Sequence, residues 1–356
     1  MDFEPNVEVT LDVITRRRIP DRIPSFEPYF DPKTVALVLG KPFPAGPYRT
    51  KEAWREVIEL LIEWSFFTHS DVLQLVLEGP ALPMRRDMER SATEERDYLT
   101  HRDLPTIRHR EDYVRYPWPT EEQMGLCDSD KLMLETAAEM LPEGMGIVAS
   151  KGGIFEIINY LAGYEDYVYL LKDDPALIDE MADRLGEINL RVFSEAAEYD
   201  CIDILHMGDD IAFRSGLIVA PELLRKWLFP WMKQYTDVCH KHGKPFTYHS
   251  DGDFRAVMED IIAAGVDGKQ AFEELSYKVT DCKRDYGDRI SLLGGIDVGR
   301  MTQLPEDELR KYVREVLEVC APGGGYTVGS GNCFACYIPV ANYMAMLEEA
   351  EAYSYG

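Results

Sequence analysis

The 356-residue sequence has no apolar run that approaches the about 20 residues a helix needs to span a bilayer. Its first residues, Met-Asp-Phe-Glu-Pro, lack the basic region and apolar core of a secretory signal peptide. Low-complexity segments and Gly/Ser/Pro linkers are also missing, and 46% of the residues are hydrophobic, as in folded globular proteins. We therefore expect a cytoplasmic protein that does not enter a membrane.

Positive charge is scarce. Lys and Arg number 38 against 64 Asp and Glu, which gives a formal net charge of −26. Long-range repulsion of this sign opposes encounter with nucleic acids, anionic membranes and polyanionic substrates. We therefore expect a small-molecule substrate and no nucleic-acid partner.

Cysteines are few and scattered. Their number, seven, is odd, which argues against a disulfide framework. Cys333 and Cys336 form the one CxxC motif, which could be a redox pair, half of a zinc site or ordinary loop packing. The redox interpretation is disfavoured because the pair does not begin a helix after a βαβ strand.

Apolar segments typical of buried strands alternate with helical patterns along most of the chain. Helices are predicted at residues 50–68, 154–161, 174–198, 221–243, 254–262 and 305–320. Strands are predicted at residues 22–31, 71–77, 146–150, 202–207, 244–249, 266–272, 290–294 and 326–329. Eight strands in this alternation predict an α/β protein.

The economical assembly of these elements is a single (β/α)8 TIM-type barrel over residues 22–352, preceded by a polar lead-in helix within residues 1–21. A doubly wound sheet is the rival, but no Gly-rich phosphate-binding motif follows any predicted strand. Residues 85–118 interleave Arg, Asp, Glu and Tyr. They predict an inserted arm outside the barrel, which could cover the site or mediate contact in a homodimer.

Residues 244–253, Lys-Pro-Phe-Thr-Tyr-His-Ser-Asp-Gly-Asp, carry the clearest functional signal. A short apolar strand ends there in His249, Ser250 and Asp251, and a predicted helix follows Gly252. Ligands bind at this kind of junction in α/β proteins. We expect His249 to take part in metal binding or proton transfer.

Acidic and thiol side chains follow the other predicted strands, so a barrel would gather them at one mouth. Several acids and one histidine suit metal binding or acid–base catalysis, although each acid could equally cap the following helix. Asp209 and Asp210 cannot both face inward with equal ease, so we expect one in the site and the other anchoring a loop. The candidates are Glu27, Glu78, Asp209, Asp210, His249, Asp251, Glu273, Glu274, Asp297, Cys333 and Cys336.

Several segments together resemble the uroporphyrinogen decarboxylase superfamily in content and order. They include His-Ser-Asp-Gly at 249–252, Gly-Gly-Ile-Asp at 294–297 and Gly-Ser-Gly-Asn at 329–332. Residues 202–222, 286–290 and 339–342 add to the resemblance, which spans about residues 20–350 and is strongest after residue 140. The resemblance implies a TIM-type barrel, in agreement with the strand count.

The superfamily contains a tetrapyrrole decarboxylase and methyltransferases that exchange methyl groups with corrinoid proteins. The decarboxylase has an arginine-rich segment after its first strand, whereas residues 23–31 here contain two acids and no arginine. Methyltransferases of the coenzyme-M type bind zinc through His-x-Cys and a later Cys. This chain has His249-x-Asp251, with Cys333 near the later position, so a thiol acceptor is less expected and demethylation of a small ether more so.

The resemblance to the methyltransferase branch implies that a Co(I) corrinoid on a separate protein attacks the substrate methyl group. Zinc held by His249, Cys333 and Glu273, or a protonated His249, would stabilise the leaving oxygen, with Asp251 and Asp209 as further catalytic residues. A metal-independent decarboxylase or lyase remains the alternative, and a non-catalytic partner subunit is a third. The expected substrate-binding residues are Glu27, Tyr29, Phe30, Glu78, Asp210, Asp297 and Phe334.

Overall fold

The computed structural model describes residues 3–84, 87–90, 97–100 and 105–353. The strands are β1 (Val72–Val76), β2 (Asp87–Arg90), β3 (Asp97–Thr100), β4 (Gly146–Gly152), β5 (Ile204–Gly208), β6 (Ala212–Phe213), β7 (Gly216–Leu217), β8 (Phe246–His249), β9 (Gly268–Gln270), β10 (Ser291–Leu293) and β11 (Tyr326–Thr327). The helices are α1 (Val7–Ile14), α2 (Pro32–Leu39), α3 (Lys51–Phe67), α4 (Arg110–Arg115), α5 (Asp128–Met140), α6 (Ile154–Ala162), α7 (Tyr164–Asp173), α8 (Pro175–Ala197), α9 (Pro221–Trp227), α10 (Phe229–Lys241), α11 (Met258–Ala263), α12 (Val279–Tyr286), α13 (Val298–Gln303), α14 (Glu306–Cys320) and α15 (Val340–Ala352).

Seven parallel strands form one curled sheet in the order β1-β4-β5-β8-β9-β10-β11. Ser25 joins its two edges, because it makes parallel bridges to Ser70, just before β1, and to Val328, just after β11. The predicted first strand, residues 22–31, is thus reduced to isolated bridges at Ser25 and at Phe30, which pairs with Phe334. Pro24 and Pro28 lack the N–H that a longer ladder would need. The predicted α/β, TIM-type barrel is confirmed.

Side chains of the barrel strands alternate between its interior and the layer beneath the helices. Leu73 and Leu75 of β1 belong to the large core cluster that includes the helices, as do Leu205 and Met207 of β5. A separate small cluster fills the interior at the amino-terminal ends of the strands. This cluster, which we call the barrel floor, consists of Ile14 of α1 with Phe26, Val72, Val148, Ile204 and Leu293.

Helix α1 closes the barrel from below. The hydroxyl of Ser291, at the start of β10, donates to the carbonyl oxygens of Val13 (2.8 Å) and Ile14 (3.1 Å). The buried Asp71 accepts from the Asn6 amide (2.8 Å) and the Thr10 hydroxyl (3.0 Å). The predicted lead-in helix within residues 1–21 is therefore shorter than expected and packs on the barrel itself.

The longest helix, α8, has local signals at its start and an apolar stripe along its length. Asp174 caps it by accepting from the Leu177 amide at 3.2 Å, and Pro175 occupies its first position. Its buried face includes Ile178, Met181 and Leu185, at the spacing that predicted it. Burial of this stripe fixes the helix against the sheet.

The predicted inserted arm, residues 85–118, contains an antiparallel pair, in which Asp87 is opposite Thr100 and Arg90 is opposite Asp97. Residues 85–86, 91–96 and 101–104 of that arm lie outside the described residues. Helix α4 follows, and its Arg110 pairs with Asp174 (2.9 Å) and Glu180 (2.7 Å). Among the described residues, no helix is both long and apolar enough to cross a membrane.

Candidate active site

The barrel interior becomes polar above the floor. Residues that are aligned on neighbouring strands point to the same side of the sheet. Gln74 of β1 is aligned with Val148 of β4, which points inward, and Ser150 of β4 is aligned with His206 of β5 and, through it, with Thr247 of β8. One step higher, at the end we call the mouth, Gly152 aligns with Gly208, and Gly208 with His249. The mouth therefore combines small residues with one histidine.

Three ligand-type side chains meet at the mouth. His249 Nε2 lies 3.6 Å from Asp210 Oδ1 and 3.7 Å from Asp251 Oδ1. One ligand atom from each residue lies within 4.8 Å of the other two. The structure thus brings together Asp210, which follows β5, with His249 and Asp251 at the end of β8.

Hydrogen bonds fix which ring nitrogen of His249 faces the carboxylates. Gln270 Nε2 donates to the Asn332 carbonyl oxygen at 2.6 Å, so Gln270 Oε1 is an acceptor. That oxygen contacts His249 Nδ1, which must then carry hydrogen. In the neutral imidazole, Nε2 therefore presents a lone pair to two carboxylates. Such an arrangement is stable only with a proton or a cation among the three groups.

The two aspartates are themselves held in place by few partners. Asp251 Oδ2 accepts from Asn332 Nδ2 at 2.7 Å, whereas its buried Oδ1 has no hydrogen-bond partner among the described residues. Asp210 Oδ1 accepts from the Asp251 amide at 2.8 Å. Burial raises the pKa of Asp251, and Asp210 adds to this effect while His249 opposes it. The free carboxylate oxygen points to a cation as the missing partner.

The donor set fits a divalent metal of the zinc type. One imidazole nitrogen and two carboxylate oxygens are accepted zinc ligands. Their separations of 3.6 and 3.7 Å from Nε2 are close to the about 3.4 Å expected between tetrahedral ligands of one zinc ion. Three protein ligands leave a coordination position for substrate, as catalytic zinc sites require.

Asp209, expected to be catalytic, has another environment. It is fully buried and accepts from the amides of Phe155 (2.9 Å) and Glu156 (2.8 Å) in the first turn of α6. Burial raises its pKa to about 7. Asp209 therefore anchors α6, and Asp210 is the one of the pair that faces His249.

Glu156 was not among the expected residues, yet it borders the cluster. It lies in the first turn of α6, and Tyr160 Oη donates to its Oε1 at 2.8 Å. Burial raises the pKa of Glu156 to about 8, with further contributions from Asp210 and Asp209. A carboxyl group with its pKa raised in this way can act as a proton donor near neutral pH.

Tyr29 covers one side of His249. The two rings make an edge-to-face contact with their centroids 4.9 Å apart. Tyr29 Oη lies 3.1 Å from His206 Nε2, and His206 Nδ1 lies 2.8 Å from the Thr247 hydroxyl. A Cβ added at Gly208 would lie 2.0 Å from Tyr29 Oη. The glycine therefore makes room for the tyrosine expected to bind substrate.

Two expected substrate-binding residues at the barrel seam, Glu27 and Phe334, are buried away from solvent. Glu27 accepts from the Ser330 amide (2.6 Å) and hydroxyl (2.8 Å), and burial raises its pKa to about 7. Phe334 stacks on Tyr343 with ring centroids 4.0 Å apart. The half-buried Phe30 stacks on Phe43 at 5.9 Å.

Glu78 and Asp297 serve neighbouring elements. Glu78 is exposed, and its carbonyl oxygen accepts from Lys151 at 2.7 Å. Asp297 caps α13 by accepting from the Arg300 amide at 2.9 Å, and it also accepts from the Glu274 amide at 3.1 Å. Neither belongs to the cluster around His249.

Glu273 and Cys333, expected as metal ligands with His249, lie beside the cluster. Burial and then Asp251 raise the pKa of Glu273, whose Oε2 accepts from Ser276 at 3.2 Å. Cys333 is half-buried and follows Asn332, which binds Asp251. Neither is one of the three clustered residues, and their metal role stays a prediction.

Comparisons with known proteins agree with this architecture. A sequence model of the uroporphyrinogen decarboxylase (URO-D) family matches residues 80–353. Among solved structures, a methyltransferase from Methanosarcina mazei matches with a TM-score of 0.73 and 15% sequence identity, over 98% of this chain and 99% of that one. At this identity the match establishes a shared fold. No curated protein sequence matches significantly.

Proposed function

Because the chain belongs to the uroporphyrinogen decarboxylase family, we propose that it transfers a methyl group from a small methylated substrate to a corrinoid carried by a separate protein. The structural similarity to a methyltransferase along almost the whole chain supports this branch of chemistry. The observation that carries the proposal is the arrangement at the mouth, in which Nε2 of His249 faces the carboxylates of Asp210 and Asp251.

Asp210, His249 and Asp251 would hold a divalent metal, with zinc the best match to one nitrogen and two oxygen ligands. A metal bound there would act as a Lewis acid and stabilise negative charge on the oxygen that loses its methyl group. Asn332 and Gln270 orient the ligands through Asp251 Oδ2 and His249 Nδ1, as supporting residues of metal sites do.

The proton needed by the leaving oxygen has a source in the same site. We assign this role to Glu156, whose carboxyl pKa is raised to about 8 by burial first and by Asp210 and Asp209 second. Its carboxyl can donate to an alkoxide that forms at the mouth and recover a proton from solvent. Tyr29 restricts water on the other side of His249.

The mouth also suits a large methyl acceptor. A corrinoid carried by another protein must approach the substrate from above the strand ends. Val76, at the end of β1, is 50% exposed, and Phe213, in the hairpin after β5, is 56% exposed. Exposed apolar side chains beside a site are typical of surfaces that receive a partner.

Decarboxylation of a tetrapyrrole suits the described residues less well. Asp210 and Asp251 face His249, Glu273 lies close enough to Asp251 to have its pKa raised by it, and these carboxylates oppose the binding of a polyanionic substrate. The proposal therefore takes a neutral methylated compound, such as a methyl ether, as the substrate.

Metal analysis of purified protein, combined with methyl transfer to free cob(I)alamin, tests the proposal. The variants are His249→Ala, Asp251→Asn and Cys333→Ala, with His242→Ala on the exposed end of α10 as a matched control. We expect about one zinc per chain in wild type and control, and loss of zinc and of methyl transfer from small methyl ethers in the first two variants. If Cys333→Ala retains zinc, the aspartates are the remaining ligands beside His249. If Cys333→Ala loses zinc, the Cys333 thiolate is also a ligand.

Two outcomes would contradict the proposal. Methyl transfer that persists in His249→Ala would show that the cluster of Asp210, His249 and Asp251 takes no part in the reaction. Failure of the zinc-loaded wild type to methylate cob(I)alamin from any small ether, under conditions where an authentic corrinoid methyltransferase does so, would exclude ether demethylation.

A further inference from the structure

Gln74 points into the barrel. It is the middle residue of β1, between Leu73 and Leu75, which pack in the layer beneath the helices. Val72, two residues earlier, belongs to the interior floor. Strand alternation places Gln74 on the same side as Val72, one step above the floor.

The Gln74 carboxamide is buried without protein partners. Gln74 is only 6% exposed, and neither its Nε2 nor its Oε1 has a hydrogen-bond partner among the described residues. Its neighbour in the register is the apolar Val148, and the nearby Ser150 hydroxyl donates to the Leu75 carbonyl at 3.2 Å. A buried amide that makes none of its hydrogen bonds is costly to the fold, so the position calls for a ligand group.

The interior is open above Gln74. Val76 is half exposed, and a Cβ built at the exposed Gly152 of β4 meets no atom within 4 Å. At the equivalent glycine of β5, Gly208, the same space is occupied by Tyr29 Oη. The opening is therefore on the β1 and β4 side, between Gln74 and the His249 cluster.

We propose that Gln74 binds the end of the substrate remote from its methyl group, and that this end is a neutral group that both donates and accepts a hydrogen bond. This inference rests on the proposed function for the position of the methyl-bearing oxygen at His249. β1 and β8 are three strand spacings of about 4.8 Å apart along the curved sheet, a span suited to a short two- or three-carbon chain between two side chains.

The chemistry of the amide selects the substrate class. A hydroxyl or carboxamide can accept from Nε2 and donate to Oε1, so both unpaired atoms are satisfied. A carboxylate would leave Oε1 unpaired and would be repelled by Asp210 and Asp251. An ammonium would leave Nε2 unpaired, and an alkyl end would leave both atoms unpaired.

Four methyl ethers of similar size test this selection. They are 2-methoxyethanol, 1-methoxypropane, 2-methoxyethylammonium and methoxyacetate, which end in a hydroxyl, a methyl, an ammonium and a carboxylate. Binding to zinc-supplemented protein is measured by ligand-observed NMR without corrinoid, so that no turnover occurs. Wild type should bind 2-methoxyethanol about 10- to 100-fold more tightly than 1-methoxypropane, as the loss of paired polar contacts implies.

Gln74→Leu, which keeps the volume but removes both polar atoms, should bind these two ethers equally within about threefold. Gln74→Glu should reverse the preference toward 2-methoxyethylammonium, which an opposite charge attracts. Gln234→Leu, on the exposed face of α10, is the control and should keep the wild-type preference.

Equal binding of the alcohol and its methyl isostere by wild type would overturn the inference. So would a preference for the alcohol that persists in Gln74→Leu, or tightest wild-type binding of methoxyacetate. The methyl-transfer assay tests the proposed function separately. If wild type prefers the alcohol but never methylates cob(I)alamin, the Gln74 subsite is supported and the proposed reaction is not.

Discussion

Each end of the barrel holds an aspartate, fully buried at the floor and half-buried at the mouth, and the two have opposite surroundings. At the floor, Asp71 accepts from the Asn6 amide, the Thr10 hydroxyl and the Arg22 guanidinium. At the mouth, Asp251 accepts from Asn332 through one oxygen and leaves the other unpaired beside Asp210 and His249. The same side-chain type is thus neutralised at one end and left with unused acceptor capacity at the other.

This difference assigns folding stability to one end of the barrel and ligand binding to the other. Asp71 at the floor is satisfied within the chain, so it contributes to folding and offers nothing to a ligand. Groups at the mouth keep free polar atoms at a cost in stability, as binding sites do. Substitutions at the two ends should therefore have opposite consequences.

The largest effect is expected from comparing Asp71→Ala with Asp251→Asn. Asp71→Ala leaves the Asn6 amide and the buried Thr10 hydroxyl without an acceptor and should lower the free energy of unfolding by about 3 kcal/mol. Asp251→Asn keeps the side-chain size, relieves repulsion from Asp210 and should leave stability unchanged or slightly higher while metal binding is lost. Urea unfolding of metal-free protein, followed by tryptophan fluorescence, measures both; equal losses would remove the distinction between the two ends.

An intermediate effect is expected from Glu27→Gln at the seam between the first and last strands. Burial raises the folded pKa of Glu27 from 4.5 to about 7, so its stabilising neutral form is fully present below pH 4.5 and is lost as the pH rises through 7. At pH 8 the variant should be more stable than wild type by about 2–3 kcal/mol. This is close to the most that a pKa difference of this size can contribute to the free energy of unfolding.

The advantage of Glu27→Gln should be nearly lost at pH 4.5, because the wild-type carboxyl is then neutral in the folded state and only half ionised in the unfolded state. Unfolding curves from pH 4.5 to 8 give the difference between variant and wild type. Asp209, with its pKa raised to about 7, contributes to both proteins in the same pH range and cancels in that difference. A difference that does not change with pH would show that Glu27 is not the titrating group.

The smallest effect is expected from a pair of glycines at the mouth. Gly208→Ala places a Cβ 2.0 Å from Tyr29 Oη, so it should displace the tyrosine and cost about 1–2 kcal/mol of stability. Gly152→Ala, at the aligned position of β4, meets no atom and should stay within about 1 kcal/mol of wild type. Thermal unfolding measures both, and equal destabilisation would contradict the open space at Gly152.

The barrel was predictable because local patterns and tertiary packing agree along most of the chain. The apolar stripe of 174–198 became α8, and the runs at 146–150 and 202–207 became β4 and β5. The segment 22–31 was predicted as a longer strand, but its prolines leave only isolated bridges, at Ser25 and Phe30. The packing of α1 under the barrel could not be predicted, since its partners come from distant strands.

The site was predictable only where local sequence marks it. His249 and Asp251 stand out because they end an apolar strand and precede Gly252. The choice between Asp209 and Asp210 required the position of α6, whose amides bind Asp209. Gln74, Gln270 and Glu156 carry no motif, because their inward direction depends on strand register or on the placement of a helix.

The contact of α1 with β10 has a consequence for the order of folding. The bond from Ser291 to the Val13 carbonyl joins residues 278 positions apart, and Ser330 binds Glu27 across 303 positions. During synthesis the first helix therefore leaves the ribosome long before the part of its binding surface formed by β10 exists. Loop closure over such separations is slow, so the amino-terminal helix docks late and its apolar face stays exposed until the last strands emerge.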